Sequence, residues 1–325
     1  MTNENSHTLT SKRYNNFIYT RLIFNFITNG GYHVEYTSHW RVDNLSNGKL
    51  ENIQEFIDKI VFWKGDITDR GQVDKVVSKV DIIYHLAAQI SVSESIKDPA
   101  KDATVNIGGT LNILQAAAAY GVKKIVYYSS AAVYGEPEYL PIDEEHPLKP
   151  SSPYGLSKLT AEKYAEFYSK FYGLNIIVIR PFNVYGPKQD PKNAYSGVIS
   201  KFLDLAILGK EIQIYGDGNQ SRDFIYVEDL VNLSLTALRK ETPGFIVLNG
   251  GTGEKTTIRN LAAEIKKLTA SNSQIRFLPR REGEIYESYA DISEAERVLD
   301  FKPCYRLEDG LKRLIEFFPP LGYKV

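Results

Sequence analysis

The sequence predicts an α/β protein with a doubly wound parallel sheet and a smaller C-terminal lobe. Three observations lead there. Short β-branched runs recur along most of the chain, each run is apolar nearly throughout, and helix-length stretches separate the runs. Continuously apolar strands are strands covered on both faces, and strands alternating with helices bury all of their apolar surface in a parallel sheet with helices on either side.

Taken in order, the chain opens unusually for such a fold. NENSHTLT makes a poor strand, and SKRYNNFIYTRL (11 to 22) is basic, polar and aromatic, with no glycine where a first strand and its turn are expected. Later runs read more clearly as strands: IVFWKGDI (60 to 67), VDIIYHLAA (80 to 88), KKIVYYSSAAVYG (123 to 135), LNIIVIRPFNVYG (174 to 186) and FIVLNGG (245 to 251). Between them, residues 99 to 120 read as a helix that starts with Pro99 after Asp98 and stops at Gly121. Residues 153 to 172 likewise follow Ser152, begin with Pro153 and stop at Gly173, the usual asymmetry of proline at helix starts and glycine at helix ends. Ligands of such a sheet gather at the carboxyl ends of its strands. After Gly186 the pattern loosens into PKQDPKNAYSGV, so residues 1–186 are assigned to the sheet domain, with 224–248 returning to it, and 187–325 mainly to the second lobe.

Bulk properties exclude several function classes. A net charge of -1 over 325 residues gives no general attraction for nucleic acid or an anionic membrane, so an anionic ligand must be gripped locally. Cys304 is the one cysteine, which excludes an intrachain disulfide and a thiolate metal cluster and fits a reducing cytoplasm. No apolar run approaches the roughly 20 residues of a membrane span, and no leader pattern precedes a cleavage site. His85 reads as a core residue of its strand, and no His/Cys/Asp cluster has metal spacing.

The chemistry concentrates in SSPYGLSKLTAEKYAEF, where Tyr154 and Lys158 stand four apart in a predicted helix and share a face. A lysine ammonium beside a phenol favours the phenolate and lowers its pKa toward that of a working base. With 22 tyrosines in the chain, spacing alone is weak, and Tyr120 and Lys124 repeat it across Gly121. The company of Tyr154 decides between the two pairs. SSAAVYG places Ser129 and Ser130 at the carboxyl edge of the sheet, where a hydroxyl can pass a proton between a substrate hydroxyl and Tyr154.

Together with VDNLSNG (42 to 48), GDITD (65 to 69), HLAAQISVSES (85 to 95), NIGGTLNIL (106 to 114), SPYGLSK (152 to 158), RPFNVYGP (180 to 187), YGDGNQSRDFIYVEDL (215 to 230) and RREGEIYESYADIS (280 to 293), these residues make the chain resemble the extended short-chain dehydrogenase/reductases. Within them it is most similar to the NAD-dependent nucleotide-sugar epimerases and dehydratases of the UDP-glucose 4-epimerase kind. The resemblance implies a Rossmann sheet, a smaller nucleotide-sugar-binding lobe and a catalytic set of Ser130, Tyr154 and Lys158. It implies NAD held by Phe17, Ile18, Asp43, Asn44, Asp66, Ile67, Ala87, Ala88, Gln89, Asn106, Ser129, Tyr154, Lys158 and Pro181. Asp43 would hold the adenosine ribose and repel the 2′-phosphate of NADP. On the substrate side the resemblance implies Asn183, Arg222 and Arg281 at a diphosphate, Tyr215 against uracil, Ser130 and Glu284 in the site, and Ser288 beside the sugar C2 substituent. It further implies a homodimer built on the helices 99 to 120 and 153 to 172.

The reaction so implied is reversible oxidation of a UDP-hexose at C4, because Ala131 and Ala132 stand where dehydratases and decarboxylases carry an acid. The small Ser288 adds UDP-GlcNAc/UDP-GalNAc to UDP-glucose/UDP-galactose. Two rival readings stay open: a catalytically weak or silent nucleotide-sugar-binding paralogue, and another nucleotide-sugar epimerase or dehydratase of the same family. Aligned on Phe17 and Ile18, the three glycines of the family's phosphate turn fall on Arg13, Asn16 and Tyr19, whose side chains would keep backbone amides from the pyrophosphate. An altered turn that still binds NAD, a degenerate paralogue and a disturbed reading of the gene upstream of Asp43 all remain as explanations.

Overall fold

A computed structural model describes residues 16–19, 38–189, 197–281 and 283–317. Among the described residues the main sheet has seven strands, in the order Phe245–Gly250, Ile176–Pro181, Lys124–Tyr128, Ile82–His85, Asn16–Tyr19, Ser38–Asp43, Val61–Lys64. Every pair in it is parallel. Alternate residues of the inner strands serve opposite layers. Ile82, Tyr84, Val126, Tyr128, Ile177 and Ile179 face one core cluster with Leu230 and Leu233, whereas Ile83, Ile125, Tyr127, Ile176 and Val178 face another with Ile113, Leu114, Ala161 and Ala165. A fully buried aliphatic side chain contributes about 1.5–3 kcal/mol, so two such faces require strands apolar at every position, the pattern seen in the sequence.

Both expected helices form with the expected ends. Pro153–Tyr172 is capped by Ser152, whose side chain accepts from Gly155 N, and it closes on Gly173 at φ 69°. The segment 99–120 departs from a uniform helix. Pro99–Ala103 begins it and Thr110–Tyr120 ends it at Gly121, but Thr104–Gly109 between them is π-helical. Gly109 lies against Ile67, where an added Cβ would stand 2.4 Å from Ile67 Cδ1, and Thr110 Oγ1 donates to Asn106 O at 2.6 Å. The widened turn thus brings this helix close to the loop after the strand Val61–Lys64 while turning Asn106 inward.

The helix Val227–Arg239 leads to the strand Phe245–Gly250, which pairs with Ile176–Pro181. Phe224–Tyr226 stays outside the main sheet and pairs with Asn183–Tyr185. Two further small sheets complete the C-terminal half: Ile212–Tyr215 with Ile275–Leu278, and Ser221–Arg222 between Thr256–Thr257 and Glu287–Ser288. The first of them contributes Ile212 and Ile214 to a third core cluster that includes Phe202, Leu203, Leu261, Ile265 and Leu311.

The opening segment is corrected by the sheet. Asn16 and Tyr19, expected at glycine positions of a turn, lie in a strand, with Phe17 opposite His39 and Ile82 and Ile18 opposite Trp40 and Ile83. NFIY is aromatic and β-branched enough to extend where partners flank it on both sides. Arg13 and the connection after Tyr19 lie outside the described residues.

Candidate active site

The strand Lys124–Tyr128 delivers Ser129 and Ser130 to the carboxyl edge, with Ser129 N still donating to Ile179 O at 2.8 Å. The Ser130 side chain accepts from Ala132 N at 3.2 Å and starts the short turn Ala131–Val133. The helix Pro153–Tyr172 reaches this turn because residue 155 has no side chain: a Cβ on Gly155 would stand 2.5 Å from Ala132 O. That approach sets the neighbouring Tyr154 beside Ser130, close enough for the Ser130 side chain to act on its phenol. Ser95 Oγ accepts from Tyr154 N at 3.1 Å and fixes the helix start from the other side.

Electrostatics correct one expectation. The Tyr154 phenol is raised above its ordinary pKa, chiefly by burial, with the Ser130 side chain opposing and the Asp102 charge adding to the rise. Lys158 does not lower it. Lys158 is 3% exposed, its ammonium donates to Tyr128 O, and it sits 4.6 Å from the centre of the Tyr127 ring. Burial pushes its pKa down to about 7 against the pull of Glu162 and Asp102. A buried ammonium spent on a carbonyl and partly neutral near pH 7 has little charge left for a phenolate. The other tyrosine–lysine pair is taken apart: Tyr120 is exposed, while Lys124 donates to the carbonyls of Ala237 and Lys240 at the end of another helix.

Most of the expected cofactor residues line the carboxyl edges of neighbouring strands. Asp43 ends its strand, and its carboxylate accepts from Leu45 N at 2.8 Å. Asn44 Nδ2 donates to Asp66 Oδ2 at 2.9 Å, and Thr68 N and Oγ1 close on Asp66 Oδ1 at 2.9 and 2.8 Å. Burial raises the Asp66 carboxyl, and these hydrogen bonds outweigh it, leaving the pKa low. Ile67 is buried against Gly109. Ala87, Ala88 and Gln89 follow the strand Ile82–His85, and Asn106 clasps them: its Oδ1 accepts from Gln89 N at 2.8 Å and its Nδ2 donates to Gln89 O at 3.1 Å. Asn106 therefore shapes the loop. His85 is a core residue, hydrogen-bonded to Thr110 Oγ1 at 2.8 Å. Pro181 ends its strand beside Gly250. Phe17 and Ile18 lie inside the strand Asn16–Tyr19.

This edge fits a dinucleotide. The strands run in the 3-2-1-4-5-6 order of dinucleotide-binding sheets, so the crevice opens between Asn16–Tyr19 and Ile82–His85, with Asp43 and Asp66 on one side and Ser129, Tyr154 and Lys158 on the other. Ser129 Oγ is buried there without a hydrogen-bond partner among the described residues. A buried hydroxyl is costly to leave unpaired, and a polar ligand at this edge would relieve it.

The expected substrate residues gather on the small sheets. Arg222 stands in register opposite Ser288, donates to Ser221 O at 2.7 Å, and has its other terminal nitrogen 3.8 Å from Glu284 Oε1. Burial lowers the Arg222 pKa, and Glu284 and Glu136 oppose it. Tyr215 and Arg281 meet each other, with the guanidinium carbon 3.6 Å from the ring centre. Asn183 is exposed at the start of its strand. Four residues that sequence reasoning gave no role also shape the region: Ser95, Gly155, Asp102 and Asp223. SVSES and the aspartate after Arg222 lay inside quoted motifs, so the signal was present.

The family model described as the NAD dependent epimerase/dehydratase family matches residues 30–249. The chain is 42% identical over 278 residues to a putative UDP-glucose 4-epimerase of Methanocaldococcus jannaschii, covering 85% of this chain and 88% of that one. Among solved structures it resembles the Thermotoga maritima UDP-glucose 4-epimerase with UDP-glucose (35% identity, TM-score 0.86, covering 93% of this chain and 98% of that one). It equally resembles a UDP-N-acetylglucosamine 4-epimerase from Methanobrevibacter ruminantium in complex with UDP-N-acetylmuramic acid (32% identity, TM-score 0.87, covering 94% and 98%). With its strand order, its edge carboxylates and its Ser130–Tyr154 pair, the chain belongs to the NAD-dependent epimerase/dehydratase family.

Proposed function

We propose that the chain interconverts UDP-hexoses at C4, acting on UDP-glucose/UDP-galactose and on their N-acetylated counterparts. The observation that carries this reading is the meeting of Ser130 and Tyr154 at the carboxyl edge, with alanines at 131 and 132. A hydroxyl pair can move a proton to and from a sugar hydroxyl, whereas elimination of water needs an acid and a base that those alanines do not provide. Tyr154 takes the proton of the 4-hydroxyl, directly or through Ser130. When bound, NAD supplies the hydride acceptor and donor for C4, and its cationic ring adds the charge that favours a phenolate. Arg222 and Arg281 hold the diphosphate while the 4-keto sugar presents its other face, so Arg281 must share its place on Tyr215 with the nucleotide. Ser288, small and 9% exposed beside Arg222, leaves room for an N-acetyl group.

A homodimer in the cytoplasm is part of the proposal. Leu156, Tyr164, Phe167 and Phe171 form an exposed apolar stripe along the helix Pro153–Tyr172, and a second copy is what would cover it.

The test is to denature purified protein and look for released NAD, then to incubate it with UDP-galactose and with UDP-GalNAc. Released NAD and conversion of both are expected, and Tyr154→Phe should lower kcat by about 10²–10⁴-fold with UDP affinity kept. Conversion of UDP-galactose alone would remove the N-acetylated substrates. Neither NAD nor conversion would establish the silent reading.

A further inference from the structure

One buried carboxylate joins the segments that carry the substrate positions, and no step above uses it. Asp223 is 0% exposed. Its oxygens accept from Thr252 N (2.9 and 3.0 Å), Thr252 Oγ1 (2.6 Å), Gly253 N (3.0 Å) and Ala290 N (3.2 Å). Its carbonyl accepts from Asn183 N at 3.0 Å. A Cβ on Gly251 would stand 2.6 Å from Asp223 Oδ2, so the glycine is what lets the carboxylate approach the loop. Among the described residues the carboxylate makes no ion pair: its partners are the N–H and O–H groups of the chain.

We propose that Asp223 is a positioning residue for the nucleotide-sugar. It fixes the spacing of Asn183, Arg222 and Ser288 without touching the substrate. Each of these is one step away: Arg222 is its chain neighbour, Asn183 is bonded to its carbonyl, and Ser288 precedes by two residues the Ala290 amide that it holds. The chemistry is specific for a carboxylate. Four donors converge on it, and an asparagine would turn an amide –NH₂ toward some of them, leaving donors facing donors.

The inference rests on the UDP-hexose reading, so its test separates the two. Parent, Asp223→Asn and Thr252→Val are compared for bound NAD, UDP affinity by calorimetry, and KM and kcat with UDP-galactose. Asp223→Asn should weaken UDP binding and raise KM by about tenfold or more, with kcat and NAD content within about twofold of the parent. Thr252→Val, which removes one donor and keeps Asp223, should do the same by about threefold. Should Asp223→Asn fail to fold, Thr252→Val decides alone. Unchanged UDP affinity in the folded variants overturns the inference, as does a loss confined to kcat. A parent that binds UDP and converts nothing sinks the epimerase reading and leaves UDP affinity to judge Asp223. A parent that binds no UDP overturns both.

Discussion

Lys158 illustrates how burial decides what a side chain can do. Its carbonyl bond holds the helix Pro153–Tyr172 against the strand end that delivers Ser129 and Ser130, and it costs the ammonium part of its charge. The sign for stability follows from the direction of the shift. The folded pKa, about 7, lies below the value of 10.5 expected when unfolded, so the unfolded chain binds the extra proton between the two. The resulting penalty is complete below pH 7 and fades as pH rises toward 10.5. Lys158→Met should therefore gain most over the parent at about pH 6 and less at about pH 9, read by urea denaturation. A gain that does not shrink would contradict the assignment. Lys124, also lowered by burial, to about 8, is present in both proteins and drops out of the difference.

The strands and helices show what could be read from sequence and what could not. Strand cores such as Lys124–Tyr128 and Ile176–Pro181 were legible because two-sided burial leaves every position apolar, and helix ends because Asp98, Ser152, Gly121 and Gly173 each do a job local to the chain. The π-helical turn was not, since it depends on Ile67 meeting Gly109, 42 residues away. Ser130, Tyr154 and Arg222 drew notice through their motifs, and Asp223 lay in the same motif as Arg222, but its contacts cross several loops, so no spacing told its role. The loop after the turn Ala131–Val133 offers a prediction of the same long-range kind. Ile142 pairs with Ala290, Asn249 Nδ2 donates to Ile142 O and Asp291 O, and Asn249 N donates to Glu144 Oε1 at 2.6 Å. Burial first, against the Asn249 bond, pushes the Glu144 carboxyl from 4.5 up to about 7. The folded state then holds a proton that the unfolded state loses, so stability falls as pH rises from 4.5 to 7. Glu144→Gln keeps the acceptor and removes the charge; it should exceed the parent by about 1–2 kcal/mol at pH 8 and match it near pH 4.5 in urea titrations. Equal stability at both values would sink the idea.

At the scale of the whole molecule, the apolar stripe on Pro153–Tyr172 is the surface on which the proposed homodimer depends. Phe171 is 65% exposed and stacks on Phe167 at 4.3 Å, an arrangement that a partner surface would cover. Phe167→Glu with Phe171→Glu should shift the protein from two copies to one in light scattering after gel filtration, with the circular dichroism spectrum kept. A parent that is already a single copy excludes the dimer.

The strand Asn16–Tyr19, finally, sets the order of synthesis against the order of assembly. It is the earliest described segment of the chain, yet it fills the gap between Ser38–Asp43 and Ile82–His85. A growing chain has to emerge through Ile83 before this strand can be flanked on both sides. Until then its ladder groups on that side lack their partners and the two halves of the sheet lack their join.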